Sequence, residues 1–135
     1  LVKACIDTNV WLSGIIFAGV PSEIVQLAMK QKFQVVTSEF ILDEVERNLV
    51  HKFDVPVKKA RSLIYRISQI ADVYQPQGTV SVIPNNNPDN FVLETAWIGR
   101  AKYLVTGDRG HLLPIKMFRN TKIVNPSHFL GLFKR

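Results

Sequence analysis

Asp7 directly follows the apolar run Ala4-Cys5-Ile6, and Asp108 follows Val105-Thr106-Gly107. If both runs are strands of one parallel sheet, both carboxylates stand beyond its carboxyl edge, where such sheets bind ligands. Two carboxylates converging there repel each other and lose hydration unless they are protonated or neutralised by a cation. A hard divalent ion, Mg²⁺ or Mn²⁺, is the natural neutraliser because it prefers carboxylate and water oxygens. Either Asp taken alone reads equally well as the cap of a following turn or helix. Of the eleven acidic residues, two more are candidates for the same site. Glu44 stands at the edge of the stripe Ile41, Val45 and Leu49, where helical spacing lets it lean into a cleft, whereas Asp43 and Glu46 suit solvent better. Asp89 follows Pro88 at the start of an apolar segment, a place the helix dipole favours for a carboxylate even without function. Glu94, further along that segment, ranks below these as a fifth acid.

The elements that must position these side chains alternate in type. Val2–Ile6 reads as a strand and Pro21–Lys30 as a helix with Pro21 in its first turn. Gln34–Thr37 is a short strand, and Ser38 caps a helix running to about Phe53. Val57–Ile70 is amphipathic, with Leu63, Ile64, Ile67 and Ile70 on one side. Val73 and Tyr74 form a brief strand, and 75–87, with Pro, Gly and three consecutive Asn, is the main loop. Pro88–Ile98 is a helix, Tyr103–Thr106 a buried strand and Lys122–Val124 another, after which Asn125 caps a helix with Pro126 at its first position. Strands alternating with helices predict a three-layer α/β/α sandwich around a central, mainly parallel sheet.

The 135 residues suit one domain spanning 1–135. The chain opens on Leu1 rather than Met, so a trimmed start is expected. No run reaches the length of a membrane span; the most apolar, Val10–Val20, is broken by Gly14 and Gly19, and it follows an acidic residue and lacks the basic flank of a signal peptide. The one cysteine, Cys5, cannot form an internal disulfide and reads as a buried hydrophobe, which fits a reducing cytosol and a cytoplasmic protein. A net charge of +6 favours a polyanionic partner such as nucleic acid. There is no phosphate-binding Gly-Lys loop and no dinucleotide glycine fingerprint. His51, His111 and His128 lack zinc-ligand spacing, and Ser13 and Ser22 have no evident base. His111, three residues after Asp108, reads as a polar turn residue.

Four pieces in order, Asp7-Thr8-Asn9-Val10, Leu42-Asp43-Glu44-Val45, Pro88-Asp89-Asn90 and Val105-Thr106-Gly107-Asp108, resemble the PIN-domain nucleases, most closely the bacterial toxin-component branch. The resemblance covers almost the whole chain. It implies a Mg²⁺- or Mn²⁺-dependent endoribonuclease with one or two ions, an antitoxin protein as partner and a homodimeric state. By matching positions, Asp7, Glu44, Asp89 and Asp108 are its acidic constellation. Asp7 is the central ligand, Asp89 and Asp108 direct or water-mediated ligands, and Glu44 a ligand or the group that orients water. Thr8 or Asn9, together with Thr106, are polar supports near the metal. Asn86 stands where close relatives often carry another Asp.

Next to Glu44, the segment 47–66 carries Arg47, Lys52, Lys58, Lys59, Arg61 and Arg66 against one acid, Asp54. Lys52, Lys58, Lys59 and Arg61, with Arg109 beside Asp108, are the candidate nucleic-acid contacts; a solvated helix face is the plain alternative. Trp11 and Phe17 are placed to stack on a base but suit core packing or a subunit interface better, and Trp97 reads as core. Two other functions fit less of the pattern. One is a nucleic-acid-binding module with weak or no catalysis, for which Asn86 leaves room. The other is an Asp-dependent phosphohydrolase or phosphorelay domain, disfavoured by Asn9 and by the lack of a suitable Lys after the later strands.

Overall fold

The chain alternates strand and helix from its first residues. The computed structural model describes residues 1–134. In order, these form β1 (Lys3–Ile6), α1 (Thr8–Ile16), α2 (Val20–Met29), β2 (Gln34–Ser38), α3 (Glu39–His51), α4 (Val57–Ile70) and β3 (Ala71–Tyr74). Then follow α5 (Asp89–Ile98), β4 (Tyr103–Val105), a 3₁₀ turn (Leu113–Ile115), β5 (Met117–Phe118), β6 (Thr121–Val124) and α6 (Pro126–Gly131). The strands make one sheet in the order β3-β2-β1-β4-β6-β5, parallel throughout except for the β5–β6 hairpin.

Local chemistry explains the boundaries. Ser38 Oγ accepts the Ile41 N–H at 3.2 Å and starts α3. Asn125 Oδ1 accepts the His128 N–H at 2.7 Å, and Pro126 occupies the first position of α6. Two elements escaped the sequence reading. Helix α1 is buried at Thr8, Val10, Trp11, Leu12 and Gly14, so its apolar residues wrap around it and no periodic stripe marks it. Strand β5 has two residues and is defined only by its partner β6.

The winding of the sheet decides where a site can be. From β1 the chain moves outward through β2 to β3. It then crosses back over the sheet by α5 to lay β4 on the other side of β1. Right-handed crossovers taken in opposite directions put their helices on opposite faces. Accordingly α5 packs on β2, β1 and β4, while α1, α2, α3 and α6 pack against one another in a separate layer that α4 joins through α3. The β1/β4 boundary is therefore the topological switch point, where the crevice beyond the strand ends opens. The core between the layers is apolar and includes Ile6, Trp11, Ile24, Val36, Leu93 and Leu104, all fully buried. Gly99 ends α5 because a Cβ there would collide with Val36 and Tyr74; only glycine lets this helix end lie against the sheet.

Candidate active site

Asp7 follows β1 and Thr106 follows β4, so the two lie side by side at the switch point. The Asp7 N–H donates to Val105 O at 2.9 Å, continuing the strand pairing. Its carboxylate accepts the Thr8 N–H on Oδ1 at 2.8 Å, capping α1, and the Thr106 hydroxyl on Oδ2 at 2.7 Å. Capping and site formation are thus both properties of this one residue. Burial, with only 4% of the residue exposed, pushes the Asp7 carboxyl up to about 6; Glu44 and Asp108 push the same way, and the two hydrogen bonds pull against them.

Asp108 lies in the turn after β4 and is fixed differently. Its Oδ1 accepts N–H groups from Gly110 at 2.9 Å and His111 at 3.3 Å, and its Oδ2 accepts that of Leu112 at 3.3 Å. Burial alone would raise its carboxyl, but these donors outweigh it and hold Asp108 below the usual range. The Thr106 hydroxyl accepts the Asp108 N–H at 3.0 Å and so ties the two acids together.

Asp89 begins α5, with its N–H donating to Asn87 Oδ1 at 2.8 Å. Partial burial, then the charges of Asp7 and Asp108, push its carboxyl up to about 6. Ligand atoms of Asp89, Asp108 and His111 lie within 4.8 Å of one another. Glu44 reaches the group from α3, where its Oε1 accepts the Thr8 hydroxyl at 2.8 Å. The four predicted acids thus come from four elements to the same end of the sheet, with Asp7 and Glu44 beside, and not within, the group of ligand atoms that Asp89, Asp108 and His111 form. Thr8 and Thr106 hold two of them, while Asn9 is exposed, on the rim of the cleft beside Gly107 and Asp108.

Other expectations change. Glu94 faces away from the acids: its buried carboxylate accepts backbone N–H groups from Gln77, Gly78 (3.0 Å), Thr79 (2.9 Å) and Val80. Burial would raise it, yet these donors hold it below the ordinary range. It anchors the loop to α5, as does Asn90, whose Oδ1 accepts Val82 and Ile83 N–H groups. Sequence spacing exposes neither role, because the partners are backbone atoms of a loop. Asn85 and Asn86 have left-handed φ values of 65° and 51°, a conformation Asn tolerates better than most residues, which gives Asn86 a local reason. Trp11 is fully buried, but Trp97, expected in the core, is 42% exposed because it projects from the outer side of α5. Phe17 is also exposed, with its ring edge against Phe53 at 6.0 Å between centroids. Cys5 is buried, which pushes its thiol well above the ordinary range and leaves it unreactive.

Thr8 meets Glu44 at one end of α1 and Phe17 meets Phe53 at the other, so α1 and α3 run side by side in the same direction. Lys52, eight residues beyond Glu44, is therefore about 12 Å along the helix axis from it. Lys58, Lys59 and Arg61 follow in the first turns of α4, all exposed. Lys58 and Lys59 stand at a helix start, where the macrodipole opposes cations. Arg109 is exposed beside Asp108.

A mainly parallel α/β sandwich with carboxylates gathered at its switch point defines a class of acid-site domains. The chain belongs to the PIN domain family, whose model matches residues 3–110, and PIN domains are generally nucleases. No match was found among curated proteins. The fold is similar to a chain in the crystal structure of VapBC2 from Rickettsia felis bound to a DNA fragment from their promoter. The TM-score is 0.62 at 15% identity, over 92% of this chain and 98% of that one. Among the described residues, no single helix is long and apolar enough to cross a membrane.

Proposed function

We propose that residues 1–135 form one nuclease domain that cleaves RNA phosphodiester bonds endonucleolytically with Mg²⁺ or Mn²⁺. The observation that carries this reading is the convergence of Asp7, Glu44, Asp89 and Asp108, with Asp7 and Asp89 raised to about 6. Carboxylates that are buried and also repel one another are suited to a divalent cation. The donor set is rich in carboxylate oxygen, which fits a hard ion, one or a pair. Asp7, Asp89 and Asp108 would hold it, with Glu44 completing the set. When bound, the ion supplies charge for the phosphoryl oxygens and acidity for the attacking water.

The chain's own residues do the rest. Thr106 and the Thr8 N–H fix both oxygens of Asp7, so its lone pairs are preoriented. Thr8 occupies Glu44 Oε1 and leaves Oε2 to orient a water or take its proton. Arg109 pairs with a phosphate next to the scissile one, and Lys52, Lys58, Lys59 and Arg61 hold the strand further out. The likeness to a VapBC2 chain supports assignment as the toxin of a toxin–antitoxin pair, acting in the cytoplasm as a homodimer that an antitoxin protein restrains.

The test is cleavage of a fluorogenic RNA with Mn²⁺. Asp7→Asn is expected to abolish cleavage with its circular dichroism unchanged, and excess chelator to stop the wild type. Alanine at both Lys58 and Lys59 should weaken RNA binding and lower its salt slope by about two. Full cleavage by Asp7→Asn, or in chelator, would overturn the assignment.

A further inference from the structure

The end of the sheet opposite the acids carries a basic, aromatic-walled pocket that the cleavage reading does not use. It has a volume of about 720 Å³ and is lined by Trp97, Arg100, Lys102 and Asn120, among others, with no carboxylate in its wall. Arg119 does not line it but stacks on its Trp97 wall: its guanidinium sits 4.0 Å from the Trp97 ring centroid and 4.9 Å from that of Phe118. Among the described residues, Arg100, Lys102 and Arg119 have no carboxylate within ion-pair distance. The pocket lies at the amino ends of β4 and β6, while the acids lie beyond the carboxyl end of β4. From Lys102 to Thr106 is about 13 Å along the strand. Helix α5 joins the two regions, with Asp89 at one end and Trp97 near the other.

We propose that this pocket binds single-stranded nucleic acid as a second contact, separate from the acidic cleft. Three unpaired cations supply sites for phosphates. The Arg119 guanidinium covers one face of the half-exposed indole, and its own outer face is a plane on which an unpaired base stacks. The backbone supports a role for the side chains. Arg100 and Arg119 have φ values of 54° and 53°, left-handed conformations that Gly or Asn adopts more readily. Arg119 is the first residue of the two-residue turn between Phe118 and Thr121, where a positive φ ordinarily selects Gly. A second copy related by a two-fold axis is a poor occupant, because it would bring cations against cations. An acidic peptide matches the charge but makes no use of the ring.

The same φ values provide clean variants. Arg100→Gly and Arg119→Gly remove two cations at positions where glycine relieves the backbone, so the fold is retained. The measurement is tryptophan fluorescence on adding an octauridylate in chelator, where no cleavage occurs, so a failure of the nuclease assignment leaves it interpretable. Trp11 is fully buried, so a quench reports on Trp97. The quench is expected to saturate, to vanish in Trp97→Phe and to survive in the Lys58→Ala, Lys59→Ala variant. The double glycine variant should lower the affinity read from it roughly tenfold and its salt slope by about 1.4. Binding seen by anisotropy without any Trp97 quench would overturn the proposal, as would an unchanged salt slope. A polyglutamate of equal charge quenching Trp97 as strongly would assign the pocket to an acidic peptide instead.

Discussion

Thr106 Oγ1 donates to Asp7 Oδ2 at 2.7 Å across the two strands that meet at the switch point, and accepts the Asp108 N–H at 3.0 Å. One buried hydroxyl therefore sets the orientation of one acid and the backbone of another. Thr106→Val keeps the shape and removes the O–H. Metal affinity and cleavage should fall about 10- to 100-fold, as for other groups that orient ligands. The lost bond had held the Asp7 carboxyl down, so the acid limb of metal binding should move to higher pH. Thr106→Ser should restore both properties. A valine variant with the wild-type pH profile would contradict this role.

Metal-free stability should depend on pH through Asp7 and Asp89. Both carboxyls are raised from 3.8 to about 6 in the folded protein, so the folded state holds more protons between those values. Their contribution is unfavourable when ionised: stability falls as pH rises from about 4 to 6. For buried Asp7 alone, this amounts to roughly 3 kcal/mol at pH 7. Asp7→Asn should therefore raise the Tm of the chelated protein at pH 7 and change it little near pH 4. Added Mn²⁺ should stabilise the wild type above pH 6 and progressively less below it. Thermal melts across pH, with chelator and with Mn²⁺, read both trends; a chelated wild type that gains stability from pH 4 to 6, or equal Mn²⁺ stabilisation at pH 5 and 7, would contradict them.

Glu94 is expected to act on stability first. Glu94→Ala leaves four loop N–H groups without their acceptor and should cost about 3 kcal/mol or more in urea unfolding. Because its carboxyl is held below the ordinary range, its stabilisation is present above its unfolded value of about 4.5 and is lost as pH falls through its lower folded value. Amide exchange at residues 77–80 should accelerate in Glu94→Gln; unaltered protection there would remove the anchoring role.

Much of the architecture is legible in the chain because it is local. The strands are apolar runs bounded by turns, Ser38 and Asn125 mark helix starts by their side chains, and Val57–Ile70 shows its stripe directly. The four acids are legible as candidates, Asp7 and Asp108 from their places after apolar runs, and Glu44 and Asp89 from helix positions that the family pattern singles out. Their meeting is not local. It depends on β4 returning to pair with β1, a choice made by the winding of the sheet and not by any one segment. The same holds for the division between Glu44 and Glu94. Each is a glutamate on a helix with apolar neighbours. Only the folded chain brings the Thr8 hydroxyl to one and a loop's backbone to the other. Trp97 shows the converse, a large apolar residue that spacing assigns to the core and packing leaves half outside, under Arg119. Residue type and spacing determined which groups can do chemistry here. Tertiary structure decided which of them meet, because burial, repulsion and long-range hydrogen bonds exist only between segments distant in sequence.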